Sequence, residues 1–361
     1  MDARWTREAT EESRVSKSRV SRGEAVSVRA VMIEKFGAAP VVAEVAEPVA
    51  APGEALVDVR LAALNPVDLK IASGAFYGSR PELPYVAGSE GMGIVRESSL
   101  WPAGTRVRFG AARPGCLAQT VAVDDRLLVE VPDGVEDAAA AGVGIAGLAA
   151  FQSLSVARLS AGERVLVLGA TGVVGQLAVQ AAGIIGAGKV VAAGRDAEQL
   201  GRLGAGPDGV ADRVTAGVAA GTDRLVTVAL TDEDPEVSAQ TIVRAAGGEV
   251  DVIVDPLWGR PALAALIAAA PGGRLVNLGD SAGPLLDLPS SLLRSRGLSV
   301  IGYTNFGLAP EEQLRLLGVL FEHLAAGRLQ LATEVLACEK AADAWRRQVI
   351  SPHRKLLIDV S

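Results

Sequence analysis

The chain has 361 residues, a length that at about 150 residues per domain favours two domains. Hydrophobic residues make up 49% and charged residues 21%, enough apolar surface to close real cores and to exclude wholesale disorder. A formal charge of −7 leaves no footprint for a nucleic-acid backbone, and two cysteines with two histidines build neither a disulfide framework nor a four-thiolate zinc site.

Residues 1–27 are rich in Arg, Glu, Ser and Thr and carry no apolar run, so a disordered tail is expected there. The segment lacks a secretory hydrophobic stretch, and Glu8, Glu11, Glu12 and Glu24 argue against an acid-poor transit peptide. With so few cysteines, a reduced cytoplasmic setting is expected. From Val28 to about Val131 short β-rich runs follow, at Ala30 to Ile33, Glu54 to Leu64, Gly91 to Val95, Arg106 to Phe109 and Leu117 to Val123, nearly all bounded by Gly or Pro. Such spacing predicts a twisted, β-rich unit with few helices.

After Pro132 an Ala-rich helical stretch begins; its apolar part, Ala138 to Ala150, reads as too short and too weakly hydrophobic to span a bilayer. From about Ala150 the rhythm becomes strand, glycine turn, helix, strand, which predicts a parallel sheet covered on both faces, continuing to about Thr304. The last segment carries an amphipathic helix near Pro310 to Ala326 and strands at Glu334 to Ala337 and Lys355 to Val360. The fold class is therefore α/β, a β-rich domain joined to a doubly wound parallel sheet.

The most informative local signal is the strand Arg164 to Leu168, then Gly169-Ala170-Thr171-Gly172-Val173-Val174-Gly175, a helix from about Gln176, and a second strand at Lys189 to Ala193. Glycines three apart allow a tight turn, bring backbone amides against a pyrophosphate and let helix and strand pack closely. Thr171, Gly172, Val173, Val174 and Gly194 are the expected cofactor contacts. Arg195 stands where the adenine ribose would arrive, and a guanidinium there offers planar, permanent charge for the extra phosphate of NADPH. Asp196, its neighbour, is the alternative grip, on the ribose of NAD.

Asn65-Pro66-Val67-Asp68, Gly88 to Val95, the glycine loop, Asp255-Pro256-Leu257-Trp258-Gly259 and Gly272 to Gly279 together resemble the medium-chain dehydrogenase/reductase superfamily, in particular its zinc-free quinone oxidoreductase branch. The similarity runs from about Val28 onward. It implies a GroES-like catalytic domain over 28–149, a Rossmann domain over 150–305, and residues 306–361 returning to the first. It also implies a nicotinamide cleft between the domains and a homodimer paired through the last Rossmann strand. Relatives usually begin near Val28, so the upstream tail reads as an extended or misassigned start.

Zinc-dependent relatives place a cysteine at the position of Asn65 and a histidine at that of Ser89; Glu90 alone does not hold zinc and reads as a structural carboxylate. The resemblance assigns Asn65 to orienting cofactor and substrate, and places Gly279 and Ser281 beside the nicotinamide. Without a Lewis acid the acceptor must tolerate charge on oxygen, and a quinone does, because hydride arrival makes a phenolate whose conjugate acid has a pKa of about 10. Enoyl thioester reductases of the superfamily carry a tyrosine at the position of Phe76, with Tyr77 here one step later and able to swing in from a loop. Relatives commonly have threonine at Ala149. The lost hydroxyls at Phe76 and Ala149 keep open two alternatives, an enoyl thioester reductase and an NADPH-binding scaffold without turnover. Lys70 reads as an exposed strand-end charge, and His323 and His353 as surface or packing residues.

Overall fold

A computed structural model describes residues 26–78, 80–204, 224–230 and 234–361. The tail expected over residues 1–27 lies outside them up to residue 25. The first strand begins at Ser27.

The β-rich unit consists of β1 (Ser27–Ile33), β2 (Val41–Ala46), β3 (Glu54–Ala63), β4 (Tyr85–Val86), β5 (Glu90–Glu97), β6 (Arg106–Gly110), β7 (Thr120–Asp124) and β8 (Val129–Glu130), with one helix, α1 (Pro66–Ser73). Ala55, Val57 and Val59 of β3 are buried at every second position, the period of a strand with one face on a core. β2 escaped the sequence reading; none of its residues is buried, so it carries no core-facing apolar row. The strand expected from Leu117 begins only at Thr120; Leu117 instead bridges two neighbours, its amide donating to Ala87 and its carbonyl accepting from Val31 at 2.8 Å.

A long helix, α2 (Asp137–Val156), leads into the second unit, built from β9 (Arg164–Val167), α3 (Val173–Ile185), β10 (Lys189–Gly194), α4 (Ala197–Gly204), β11 (Leu225–Ala229), α5 (Pro235–Ala246), β12 (Val250–Asp255), α6 (Gly259–Ile267), β13 (Ala269–Asn277), α7 (Ser290–Arg296) and β14 (Ser299–Gly302). These strands form a six-stranded sheet in the order β11-β10-β9-β12-β13-β14, with every pairing parallel. Counted from β9 the order is 3-2-1-4-5-6, the doubly wound arrangement whose ligand crevice opens at the carboxyl ends of the strands where the order reverses. That point is the junction of β9 and β12.

The chain then adds α8 (Pro310–Ala325), β15 (Thr333–Ala337), α9 (Ala341–Val349) and β16 (Lys355–Asp359). β16 lies between β15 and β3, so residues near 355 complete the sheet begun near residue 54. α2 packs on the seven-stranded sheet that holds β3 and β16, on the six-stranded parallel sheet, and on α3 and α8, running through the expected boundary at 149/150. It extends beyond the apolar stretch read from sequence to 20 residues, long and apolar enough by composition to cross a membrane, yet 67% of its apolar window is buried inside the protein. It is the helix at the centre of the molecule.

Candidate functional site

The glycine corner is built by three glycines with different tasks. Gly169 stands two residues past the end of β9 with φ of 59°, a left-handed conformation that favours glycine. Gly172 is the N-cap of α3 and no side chain caps the helix, which leaves its first-turn amides, those of Val173 and Val174 included, without a side-chain acceptor. A Cβ on Gly175 would stand 2.3 Å from the Gly169 carbonyl oxygen. The helix starts at Val173, three residues before the expected Gln176, because the extended Gly172 sets the entry and two β-branched valines conceal the turn.

The remaining expected contacts gather around this corner. Thr171 is buried, and Gly194, at the end of β10, lies close enough that its Cβ would meet Thr171 Oγ1 at 3.7 Å. Arg195 is exposed. Asp196, the alternative ribose grip, spends one carboxylate oxygen on the amide of Gln199 at 3.0 Å, at the start of α4. Gly279 and Ser281 are tied to the end of β12: a Cβ on Gly279 would sit 2.9 Å from the Pro256 carbonyl, and Ser281 Oγ donates to that carbonyl at 3.0 Å. Pro256 and Leu257 in turn lie against Gly169. Asp255 organises the loop by accepting from the amides of Leu257 and Trp258 at 2.9 Å and from Asn277 Nδ2 at 3.0 Å; burial nevertheless pushes its carboxyl up.

His353 is more than a surface histidine. Its carbonyl accepts from Gln176 Nε2 at 2.8 Å, and its Nδ1 lies 3.2 Å from the Thr171 carbonyl, so the segment leading into β16 is tied to the glycine corner. His323 stacks on Phe151 with ring centroids 5.5 Å apart. Lys70 departs from expectation in two ways, lying in α1 rather than at a strand end and pairing with Asp280 between Gly279 and Ser281.

Asn65 heads α1 with 2% of its surface exposed and sits inside a buried charge cluster. Its Oδ1 accepts from Lys355 Nζ, and its Nδ2 donates to Glu90 Oε1 at 3.1 Å. Lys355 Nζ also reaches Glu90 Oε1 at 3.0 Å, while Glu90 Oε2 accepts from Arg108 and from the Ile145 amide, both at 2.8 Å. Asp68 accepts from the Asn65 amide at 2.7 Å and from Ser89 Oγ at 2.5 Å. Beside it lies a cavity of about 260 Å³ lined by Asp68, Ser89, Ile71, Tyr85 and Pro114 among others. Burial opposes ionisation at both acids, yet Lys355, Arg108 and the Ile145 amide hold Glu90 below the ordinary carboxylate range, whereas burial wins at Asp68 and raises it to about 6.

Lys355 and Arg108 did not stand out in the sequence. A lysine opening a strand and an arginine inside one are common, and only the burial of both, at 3% and 4% exposure, marks them. Buried Glu90 was the available signal, since an ionised carboxylate in a core requires cations. Tyr77 stays outside the cluster. It is 74% exposed, its hydroxyl donates to Thr304 Oγ1 at 3.0 Å, and its ring lies 4.6 Å from Phe76, which meets Phe306 edge-on at 5.3 Å.

Comparison with known proteins agrees with this architecture. The alcohol dehydrogenase GroES-like domain family matches residues 51–133. A phenolphthiocerol/phthiocerol polyketide synthase of Mycobacterium tuberculosis is 34% identical over 317 residues, 84% of this chain and 13% of that protein. Human quinone oxidoreductase is 32% identical over 161 residues, 42% of this chain and 49% of the relative; the chain thus spans less than two thirds of both. Among solved structures, the Thermus thermophilus quinone oxidoreductase, reported with its NADPH complex, superimposes with a TM-score of 0.75 at 27% identity, covering 92% of this chain and 99% of that one. The Pseudomonas syringae quinone oxidoreductase gives 0.77 at 24% identity, over 92% and 99%.

Proposed function

The chain belongs to the medium-chain dehydrogenase/reductase superfamily, on its quinone oxidoreductase-like branch, and from that premise we propose that it is a cytoplasmic, NADPH-dependent reductase passing hydride to quinones or related conjugated carbonyls. One observation carries the reading: the glycine corner at the β9/β12 switch point has an exposed guanidinium, Arg195, on one flank and the Gly279–Ser281 loop on the other. The corner fits a dinucleotide, since any side chain at Gly175 would collide with backbone and the first turn of α3 offers uncapped amides.

In this reading the amides of Val173 and Val174 hold the pyrophosphate, with Thr171, Gly172 and Gly194 shaping the seat. Arg195 takes the additional phosphate, and Gly279 and Ser281 border the nicotinamide. NADPH, when bound, supplies the hydride. Asn65 orients cofactor and acceptor through the one Nδ2 hydrogen that Glu90 does not use. The reaction is metal-independent: Asn65 and Ser89 supply neither thiolate nor imidazole, and the Lys355 ammonium already rests on Asn65 and Glu90, a donor set that repels a cation rather than binding one.

A second reading, enoyl thioester reduction, is favoured by the 34% identity to one segment of a polyketide synthase. There Tyr77 supplies the hydroxyl for the product oxygen, moving from Thr304 at the rim. Fluorescence titration with NADPH and NADH, followed by nicotinamide absorbance with a naphthoquinone and with crotonyl-CoA, separates the readings. Consumption of NADPH by the quinone supports the first and by the thioester the second; tight binding with neither acceptor consumed leaves a scaffold. Arg195→Ala is expected to weaken NADPH binding by about tenfold or more, the scale of a lost charge-assisted contact, and to spare NADH. Equal losses for both cofactors refute its role.

A further inference from the structure

We propose that Lys355 is a positioning residue that fixes the polarity of the Asn65 carboxamide, so that a single donor is held ready for the reacting oxygen; this rests on the orienting role given to Asn65 above. A carboxamide has an acceptor end and a donor end of nearly the same shape, and it can flip. Here Lys355 Nζ donates to Oδ1 while Nδ2 donates to Glu90 Oε1 at 3.1 Å. The flipped rotamer would set the amide NH2 against an ammonium and the amide oxygen against a carboxylate. Both mismatches would fall in a site where Asn65, Glu90 and Lys355 are almost fully buried, where unmatched polar groups are most costly. One orientation survives, and one Nδ2 hydrogen is left without a partner among the described residues.

The position of Lys355 is built rather than incidental. β16 pairs with β3 through Leu357 and Ala63, and the Leu64 amide donates to the Leu356 carbonyl at 3.0 Å, which brings residue 355 alongside residue 65. The lysine stem runs past Gly142 of α2, where a Cβ would meet Lys355 Cγ at 2.8 Å. Charge alone would not explain this contact. Arg108 already neutralises Glu90 from the other side at 2.8 Å, whereas among the described residues only Lys355 donates to Asn65 Oδ1.

The alternative, that Lys355 merely balances buried charge, predicts a different outcome in the Lys355→Met/Glu90→Gln double variant, which removes one cation and one anion together. Protein labelled with ¹⁵N-asparagine gives the Asn65 side-chain pair, identified by its loss in Asn65→Ala, and requires no substrate. Two widely separated amide proton shifts are expected in the wild type and in Lys355→Arg, and a collapsed pair in the double variant. With NADPH and 1,4-naphthoquinone, kcat in the double variant is expected to fall about 100-fold, the scale of losing one preorganised donor, with KM nearly unchanged and Lys355→Arg largely retained. A double variant that keeps wild-type kcat or unchanged Asn65 shifts overturns the proposal. If the wild type consumes no NADPH with the quinone, the functional reading fails, and the amide spectrum still decides the role of Lys355.

Discussion

Asp68 and Glu90 stand on either side of Asn65, and burial treats them differently because only Glu90 has two cations in contact. With its pKa raised to about 6, Asp68 binds a proton more tightly in the folded chain than its ordinary value of 3.8 allows. Its contribution to stability is therefore complete below about pH 4 and is lost as pH rises through 6. The rise corresponds to about 3 kcal/mol. Measured by urea unfolding, the stability of the wild type relative to Asp68→Asn should fall by up to that amount between pH 4 and pH 7.5; a difference that grows with pH would contradict the raised value. Glu90 has the opposite sign, with stabilisation present at neutral pH and lost on acidification, as its lowered pKa requires. None of this was visible at residue level in the sequence. Asn65, Asp68 and Glu90 drew notice through local motifs, but their cationic partners lie 18 and 265 residues from Glu90, and no local pattern joins them.

At the scale of elements, α2 shows why an apparently weak helix occupies the centre of the fold. Glycine is an inferior helix former, yet Gly142, Gly144 and Gly147 lie where Lys355, Arg108 and Leu320 approach the backbone. A Cβ on Gly144 would fall 2.1 Å from an Arg108 nitrogen and 2.6 Å from Glu90 Oε2. Gly144→Ala is expected to lower stability by about 1–3 kcal/mol through overpacking, despite the helix propensity it gains. Unchanged or increased stability in thermal or urea unfolding would show that the cluster is looser than these distances require. Gly175→Ala tests the glycine corner in the same way, and here the obstacle is backbone. It should abolish measurable NADPH titration while the β-rich unit still folds. The corner was readable because strand, turn, helix and second strand lie within residues 164–194. The glycines of α2 were counted as weak hydrophobes, since what they make room for comes from distant strands.

At the scale of the whole molecule, the parallel sheet and the seven-stranded sheet meet through α2 and through side-chain ties between units, among them Lys70 to Asp280, Tyr77 to Thr304 and Gln176 to His353. The two-unit architecture was legible from the change in strand rhythm near residue 150, but these ties were not, because each joins loops or helix ends read separately. β14 forms one edge of the parallel sheet, with Ser299, Val300 and Gly302 exposed, and an open edge is a template for pairing. The homodimer that the family resemblance implies through this strand predicts that sedimentation velocity gives a dimer for the wild type and a monomer for Val300→Asp. A wild-type monomer would remove β14 from that role.

The placement of Lys355 in β16 also has a consequence for how the protein is made. Asn65 and Glu90 leave the ribosome 290 and 265 residues before the lysine that faces them. Until it arrives, the stretch of β3 around Leu61–Ala63 lacks the strand that will cover it, and Glu90 must remain hydrated or rely on Arg108 alone. The buried cluster around Asn65 is thus completed only once residue 355 has been made, and until then the uncovered stretch of β3 is an edge open to the wrong neighbour.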